Sequence, residues 1–303
     1  MSEIRYMTNI NKYFLIIFYI QMREISLLVL VVLSILALIV PSFILSEVES
    51  QSESPLPILL IHGYHSGPEV WKTWLDNLKH DGIKAEAVKF KFDDRCGTSE
   101  SHAQELEGIV QKFKDKTHAD KINIVTHSKG GLDARLYLAN NLSNTDVANL
   151  IMIGTPNHGS PLAWGTSMIT PFTVHPFILP ILASFFCFPA AYDLIPGTEA
   201  TLSTPNENTN YYTIAGSWTP DPYYLFNLFY PPYDTNCPQT LWLPMERWGN
   251  SDFVIPGQDD GLVPLSSAVS EEFTNLGISD NCHSNLLTEQ QEYNWAKEIL
   301  KPE

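Results

Sequence analysis

Apolar residues fall in short blocks separated by polar, helix-spaced stretches along most of the chain. Ile58–Ile61 (ILLI) is a continuous apolar run of strand length, and Lys121–Thr126 (KINIVT), Val147–Ile153 (VANLIMI) and Tyr211–Ala215 predict further strands. Ile83–Phe92 (IKAEAVKFKF) sets Ala and Val against Lys and Glu, which predicts a further strand. Ser101–Phe113 carries Leu106, Ile109, Val110 and Phe113 at helical spacing, and Leu132–Ala139 predicts a second helix. Thr288 with Gln291 three residues on has the capping-box pattern, opening a last helix through Trp295 and Leu300. Strands alternating with helices predict a mostly parallel central sheet with helices on both faces. No internal repeat interrupts the pattern.

The first 46 residues are different. Ile25–Leu45 holds 21 residues without a charge, and about 20 helical residues cross the hydrocarbon of a bilayer. Arg5, Lys12 and Arg23 precede the run, whereas Glu47, Glu49 and Glu53 follow it and no Lys or Arg appears before Lys72. The positive-inside rule then puts the N-terminus in the cytoplasm and the body outside. The alternative is a signal peptide starting at Met22; the length of the run and the lack of an A-x-A site favour an anchor. Both send the body out of the cytosol. The expected organisation is residues 1–46 as anchor or signal, 47–56 as an acidic, proline-ended linker, and 57–303 as the folded domain.

Two stretches of that domain break the rhythm. Between Asp146 and Asp193 there is no Asp, Glu, Lys or Arg, and Pro176–Tyr192 is strongly apolar. Pro180 and Pro189 interrupt it, so an apolar cap over a site, at residues 156–205, fits better than a second membrane span. Residues 218–248 hold nine aromatics and several prolines, irregular enough to be a long excursion from the core.

Composition narrows the function. Hydrophobic residues make up 44% of the 303 and charged residues 17%, enough for a sizeable core. Eighteen Lys and Arg against thirty-four Asp and Glu leave a formal charge of −16, which argues against nucleic acid as a partner. Cys96, Cys187, Cys237 and Cys282 show no zinc spacing, and as disulfides they allow three pairings, of which Cys237 with Cys282 would tie the excursion to the loop before the last helix.

The candidate chemistry lies at strand ends. Thr126-His127-Ser128-Lys129-Gly130-Gly131 falls between a predicted strand and a predicted helix, the context a nucleophile elbow requires. Small residues flank such a serine so that the two arms approach; Thr126 crowds the turn slightly. Serine needs a base, and the base an orienting carboxylate. Downstream, Asp259-Asp260-Gly261 supplies an acid on a turn, with Asp260 preferred over Asp259. His283 lies just before the last helix, with a helix expected between acid and base. His158 and His175 are rival bases but precede the acid in sequence. His62-Gly63-Tyr64 follows the first strand of the body, so the Tyr64 and Lys129 N–H groups are the candidate oxyanion hole, with His62 a structural bridge between loops.

Taken in order, IHGYHSG, THSKGGLDAR, IGTPNHGS, DLIPGT, YYTIAGS and DDGLVP followed by a histidine resemble secreted α/β-hydrolases of the triacylglycerol lipase-like group, from about Leu56 to the end. The resemblance implies an α/β-hydrolase fold and a carboxylic ester hydrolase acting on lipid acyl esters, with Ser128 as nucleophile, Asp260 as acid and His283 as base. It implies no cofactor. Lys129 stands where many lipases carry methionine, a charge expected to bear on substrate choice. Asn285 stands where some bacterial members have a calcium-binding Asp, so no metal is expected. A thioesterase, acyltransferase or polyester depolymerase on the same fold, or an inactive membrane-tethered binding module, are the competing readings.

Overall fold

Four strands that the sequence writes as mainly apolar runs form the middle of one parallel sheet. The computed structural model describes residues 19–24, 26, 29–35, 54–92, 94–163, 187–218 and 257–301. Six strands, β1 (Ile58–Ile61), β2 (Ala85–Ala87), β3 (Ile122–His127), β4 (Val147–Ile153), β5 (Asn210–Gly216) and β6 (Thr274–Ser279), stand in the order β2-β1-β3-β4-β5-β6, every neighbouring pair parallel. β1 and β3 are buried along their whole length, because helices cover both faces and leave no wet side.

The two-residue period of the strands sorts the core into two layers. Leu59, Ile61, Ile122, Ile124, Leu150 and Met152 pack on one side, against Leu106, Val110 and Phe113 of α2 (Ser99–Thr117) and Leu136 and Tyr137 of α3 (Lys129–Asn140). Ile58, Leu60, Val125, Ile151 and Ile214 face the other way, onto Trp74 and Leu78 of α1 (Lys72–His80) and Tyr293, Ala296 and Leu300 of α7 (Gln290–Leu300). The Trp74 and Tyr293 rings meet edge to face with centroids 5.2 Å apart, joining the two helices of that layer. Short helices among the described residues include α4 (Phe188–Tyr192), α5 (Glu199–Leu202) and α6 (Leu265–Ala268).

Several expected boundaries move, each for a local reason. The strand expected over 83–92 pairs only at Ala85–Ala87. Beyond it, Phe90 N–H donates to Asp94 Oδ1, and Lys91 and Phe92 N–H to the Glu105 carboxylate, so side chains replace a ladder. α2 starts at Ser99 because Thr98 caps it, accepting from Ser101 N–H at 3.2 Å. The capping box at Thr288 does not form: Glu289 is the N-cap, and the Thr288 hydroxyl donates back to Asn285 O at 3.0 Å, closing the 3-10 turn His283–Leu287. Between acid and base the single expected helix is the one-turn α6 followed by the edge strand β6.

By contact density the chain divides into two units, Met1–Ser54 and Pro55–Glu303. In the first, residues 19–24 and 29–35 are helical. The rest of the apolar run, residues 25, 27–28 and 36–45, lies outside the described residues, as do 164–186 of the expected cap and 219–248 of the aromatic excursion. Among the described residues no helix is long and apolar enough to cross a membrane.

Candidate active site

β3 passes into α3 through Ser128 alone, which takes φ 55° and ψ −130°, a strained conformation for a residue with a side chain. Close approach of the neighbouring β1 loop sustains that turn. A Cβ on Gly130 would lie 2.4 Å from the His62 carbonyl oxygen, so only glycine fits there. A Cβ on Gly63 would lie 2.6 Å from Ser128 Cβ; bare backbone brings the Gly63-Tyr64 segment beside the serine. Thr126 does not splay the arms, since it is buried with its hydroxyl donating to Ile151 O at 3.3 Å.

Two loops bring the expected partners to Ser128. His283 opens the 3-10 turn before α7, and its Nε2 lies 2.9 Å from Ser128 Oγ. Its Nδ1–H donates to Asp260 Oδ2 at 2.7 Å, which leaves Nε2 free of a proton and able to accept from the serine hydroxyl. Asp260 is fully buried; its other oxygen accepts from the N–H groups of Leu262 and Val263 at 3.0 and 2.8 Å. Those bonds fix the orientation of its side chain toward the imidazole. The backbones are tied as well, by His283 N–H to Asp260 O at 2.9 Å. Asp259, the alternative acid, turns its Oδ1 onto Gly261 N–H at 2.6 Å. His158 lies away from the serine, its Nε2 3.2 Å from Ser270 Oγ, and His175 lies outside the described residues.

Tyr64, after β1, lines the same cavity as Ser128, and Lys129 is the first residue of α3, whose opening N–H groups have no partner within the helix. The charge of Lys129 departs from expectation. Its ammonium is 2% exposed and turns away from the cavity onto Asp133 Oδ1 at 2.6 Å and Asp193 Oδ2 at 3.7 Å. Burial alone would raise the Asp133 pKa, but Lys129 and His102, whose Nδ1 lies 2.8 Å from Asp133 Oδ2, reverse this and bring it down to about 2. Lys129 therefore adds no net charge to a substrate path. Its spacing of four from Asp133 on α3 was a readable pairing signal.

His127 is a member that the motif did not disclose. Its Nε2–H donates to the His283 carbonyl at 3.1 Å, with the two rings 4.8 Å apart. Burial, and then the neighbouring His283, push its pKa down to about 3, so it stays neutral. His62 bridges loops, Nε2 to Asp94 Oδ1 at 3.0 Å. A cavity of about 340 Å³ opens at Ser128 and His283, walled mainly by apolar residues including Leu162, Leu194, Val263 and Leu287.

Disulfide Cys96–Cys187 joins the loop before α2 to the start of α4. Cys282 is disulfide-bonded too, while Cys237 lies outside the described residues. Asn285, at the position considered for calcium, bonds locally to Glu289 and Thr288. Among the described residues no group of three or more His, Cys, Asp or Glu is arranged to hold a metal ion.

Comparison with known proteins agrees with this architecture. A family described as alpha/beta hydrolase of unknown function (DUF915) matches residues 83–164. Triacylglycerol lipase 2 of Saccharomyces cerevisiae is 28% identical over 216 residues, covering 67% of this chain and 56% of the yeast protein. A triacylglycerol lipase of Pseudarthrobacter phenanthrenivorans is 29% identical over 116 residues, 35% of each chain. The chain thus spans little more than half the length of the first of these relatives and about a third of the second. Among solved structures, the mature Bacillus licheniformis lipase BlEst2 superposes with a TM-score of 0.62 at 21% identity, over 84% of this chain and 95% of that one. The Legionella pneumophila phospholipase PlaB superposes with a TM-score of 0.53 at 16% identity, over 82% and 59%. The chain has the α/β-hydrolase fold and is similar in sequence to triacylglycerol lipases.

Proposed function

We propose that the chain is a serine hydrolase of carboxylic esters whose substrates are lipid acyl esters. One observation carries the reading: the unbroken hydrogen-bonded series Ser128 Oγ, His283 Nε2, His283 Nδ1, Asp260 Oδ2 at the mouth of an apolar cavity. In this mechanism Ser128 Oγ attacks the ester carbonyl carbon while His283 Nε2 takes the hydroxyl proton. Asp260 stabilises the imidazolium that results. The Tyr64 and Lys129 N–H groups receive the oxyanion, a donor pair in which each member is worth about 3 kcal/mol of barrier in comparable sites. Collapse of the tetrahedral species breaks the ester C–O bond, and His283 returns the proton to the departing alcohol. Water, deprotonated by His283 in turn, then frees the acid from Ser128.

The relatives and structural neighbours named as lipases and a phospholipase support a lipid ester over a small soluble one. So does the cavity, whose apolar walls reward each buried CH₂ by about 0.8 kcal/mol, roughly fourfold in specificity. In the same reading the 25–45 run anchors the protein in a membrane with its hydrolase unit outside the cytoplasm, supported by the run's length and its flanking charges.

Hydrolysis of p-nitrophenyl esters of rising acyl length tests the substrate class. Specificity constants should climb from the two-carbon to at least the eight-carbon ester. A maximum at the acetyl ester, flat thereafter, would contradict the lipid reading.

A further inference from the structure

One wall of the cavity is a turn whose alternate residues do different work. Ala191 and Leu194 line the cavity, and Asp193 between them carries the first charge after 46 uncharged residues. Its side chain is 16% exposed. Oδ2 accepts from Ser99 N–H at 2.6 Å, at the start of α2, and lies 3.7 Å from the Lys129 ammonium, at the start of α3. Burial pushes the Asp193 pKa up, against the pull of Lys129 and Ser99. A charge buried at such cost is a poor source of net stability, because desolvation offsets the attraction; what it supplies is a defined geometry. The surrounding bonds serve the same end. Ser160 N–H donates to Leu194 O at 2.8 Å, the Thr198 hydroxyl to Asp193 O at 3.0 Å, and the Cys96–Cys187 disulfide ties the chain six residues upstream.

We propose that Asp193 is a positioning residue for acyl-chain selectivity: its carboxylate, gripped by Ser99 N–H and the Lys129 ammonium, holds the 191–194 turn at a set distance from Ser128. The inference rests on the ester-hydrolase reading and deepens it. In that reading Lys129 offers its backbone N–H to the oxyanion and its side chain to Asp193, so one residue registers the cavity wall against the reacting carbonyl. A two-carbon acyl group barely reaches the wall. A longer chain packs along it, and misplacement of the wall misaligns the ester.

The test is a specificity ratio in the full-length protein, with active sites counted by fluorophosphonate titration so that misfolded molecules drop out. Asp193→Asn keeps shape and an acceptor for Ser99 but loses the charge. The kcat/KM ratio of the eight-carbon to the two-carbon p-nitrophenyl ester should fall at least about fivefold, mainly through the KM of the longer ester. Lys129→Met, which removes the contact to Asp133 as well as that to Asp193, should lower the ratio at least as much, and the double variant no further than Lys129→Met alone, since the Asp193 contact is common to both changes. An unchanged ratio in Asp193→Asn, or effects on the ratio that multiply in the double variant, overturns the proposal. A wild-type protein that takes up no fluorophosphonate and cleaves neither ester overturns the hydrolase reading itself.

Discussion

His127 holds the backbone of His283: the imidazole just before Ser128 in the chain donates its Nε2–H to the carbonyl of the residue whose ring meets Ser128, at 3.1 Å. Serine and histidine are 155 residues apart in sequence, yet each is tied to the other through a second contact besides their own.

That relationship predicts a pH dependence of stability. The folded pKa of His127 is about 3 against an ordinary 6.5, so the fold favours the neutral ring. Its contribution is complete above pH 6.5 and is lost as pH falls toward 3, because there the unfolded chain binds a proton that the folded chain does not. One such group gives a slope of up to about 1.4 kcal/mol per pH unit. Urea unfolding between about pH 6.5 and pH 4 should show a shallower decline in His127→Gln, which keeps an N–H donor without titrating. Parallel declines in the two proteins would mean that His127 is not the group responsible.

The elbow predicts a steric intolerance. Gly130→Ala places a methyl 2.4 Å from the His62 carbonyl oxygen, and backbone cannot step aside as a side chain can. A loss of about 1–3 kcal/mol in unfolding free energy is expected, with a larger relative loss of ester hydrolysis. A variant as stable and as active as the parent would mean that the β1 loop lies farther from α3.

Asp260 and Asp259 separate cleanly. Asp260→Asn should lower kcat by about 10⁴, the scale seen when an orienting carboxylate is lost, and His283→Ala by more. Asp259→Asn should cost far less, since its carboxylate bonds the turn rather than the imidazole. The reverse order in a kcat comparison would transfer the acid role.

The N-terminal run predicts that the protein stays in the membrane fraction after a carbonate wash, while protease added to intact cells digests the hydrolase unit. Mature protein beginning near Ser46 would instead identify a cleaved signal.

How much of this was readable depended on whether the interaction was local. β1, β3, β4 and β5 were legible because burial on both faces makes each a mainly apolar run. Of the edge strands, β2 was legible but not its length, and β6 was not legible at all. β2 stops where Asp94 and Glu105 take over its N–H groups, and β6 (TNLGIS) is half-exposed with no alternation to mark it. Ser128, Asp260 and His283 came from turn chemistry and chain order. The Lys129–Asp133 pair, four apart on α3, was readable too, whereas the second partner of that ammonium, Asp193, was not, because it reaches Lys129 from 64 residues away. His127 was invisible for the same reason: its partner is a backbone carbonyl, which no side-chain pattern announces.

Reaction of the intact protein with a fluorophosphonate, followed by mass spectrometry of its peptides, tests the central claim most directly. An activated serine reacts whatever the natural acyl group. The adduct is expected on Ser128 alone, and should vanish in Ser128→Ala and fall sharply in His283→Ala. Folded protein that remains unlabelled, or carries the adduct on another serine, would contradict the account.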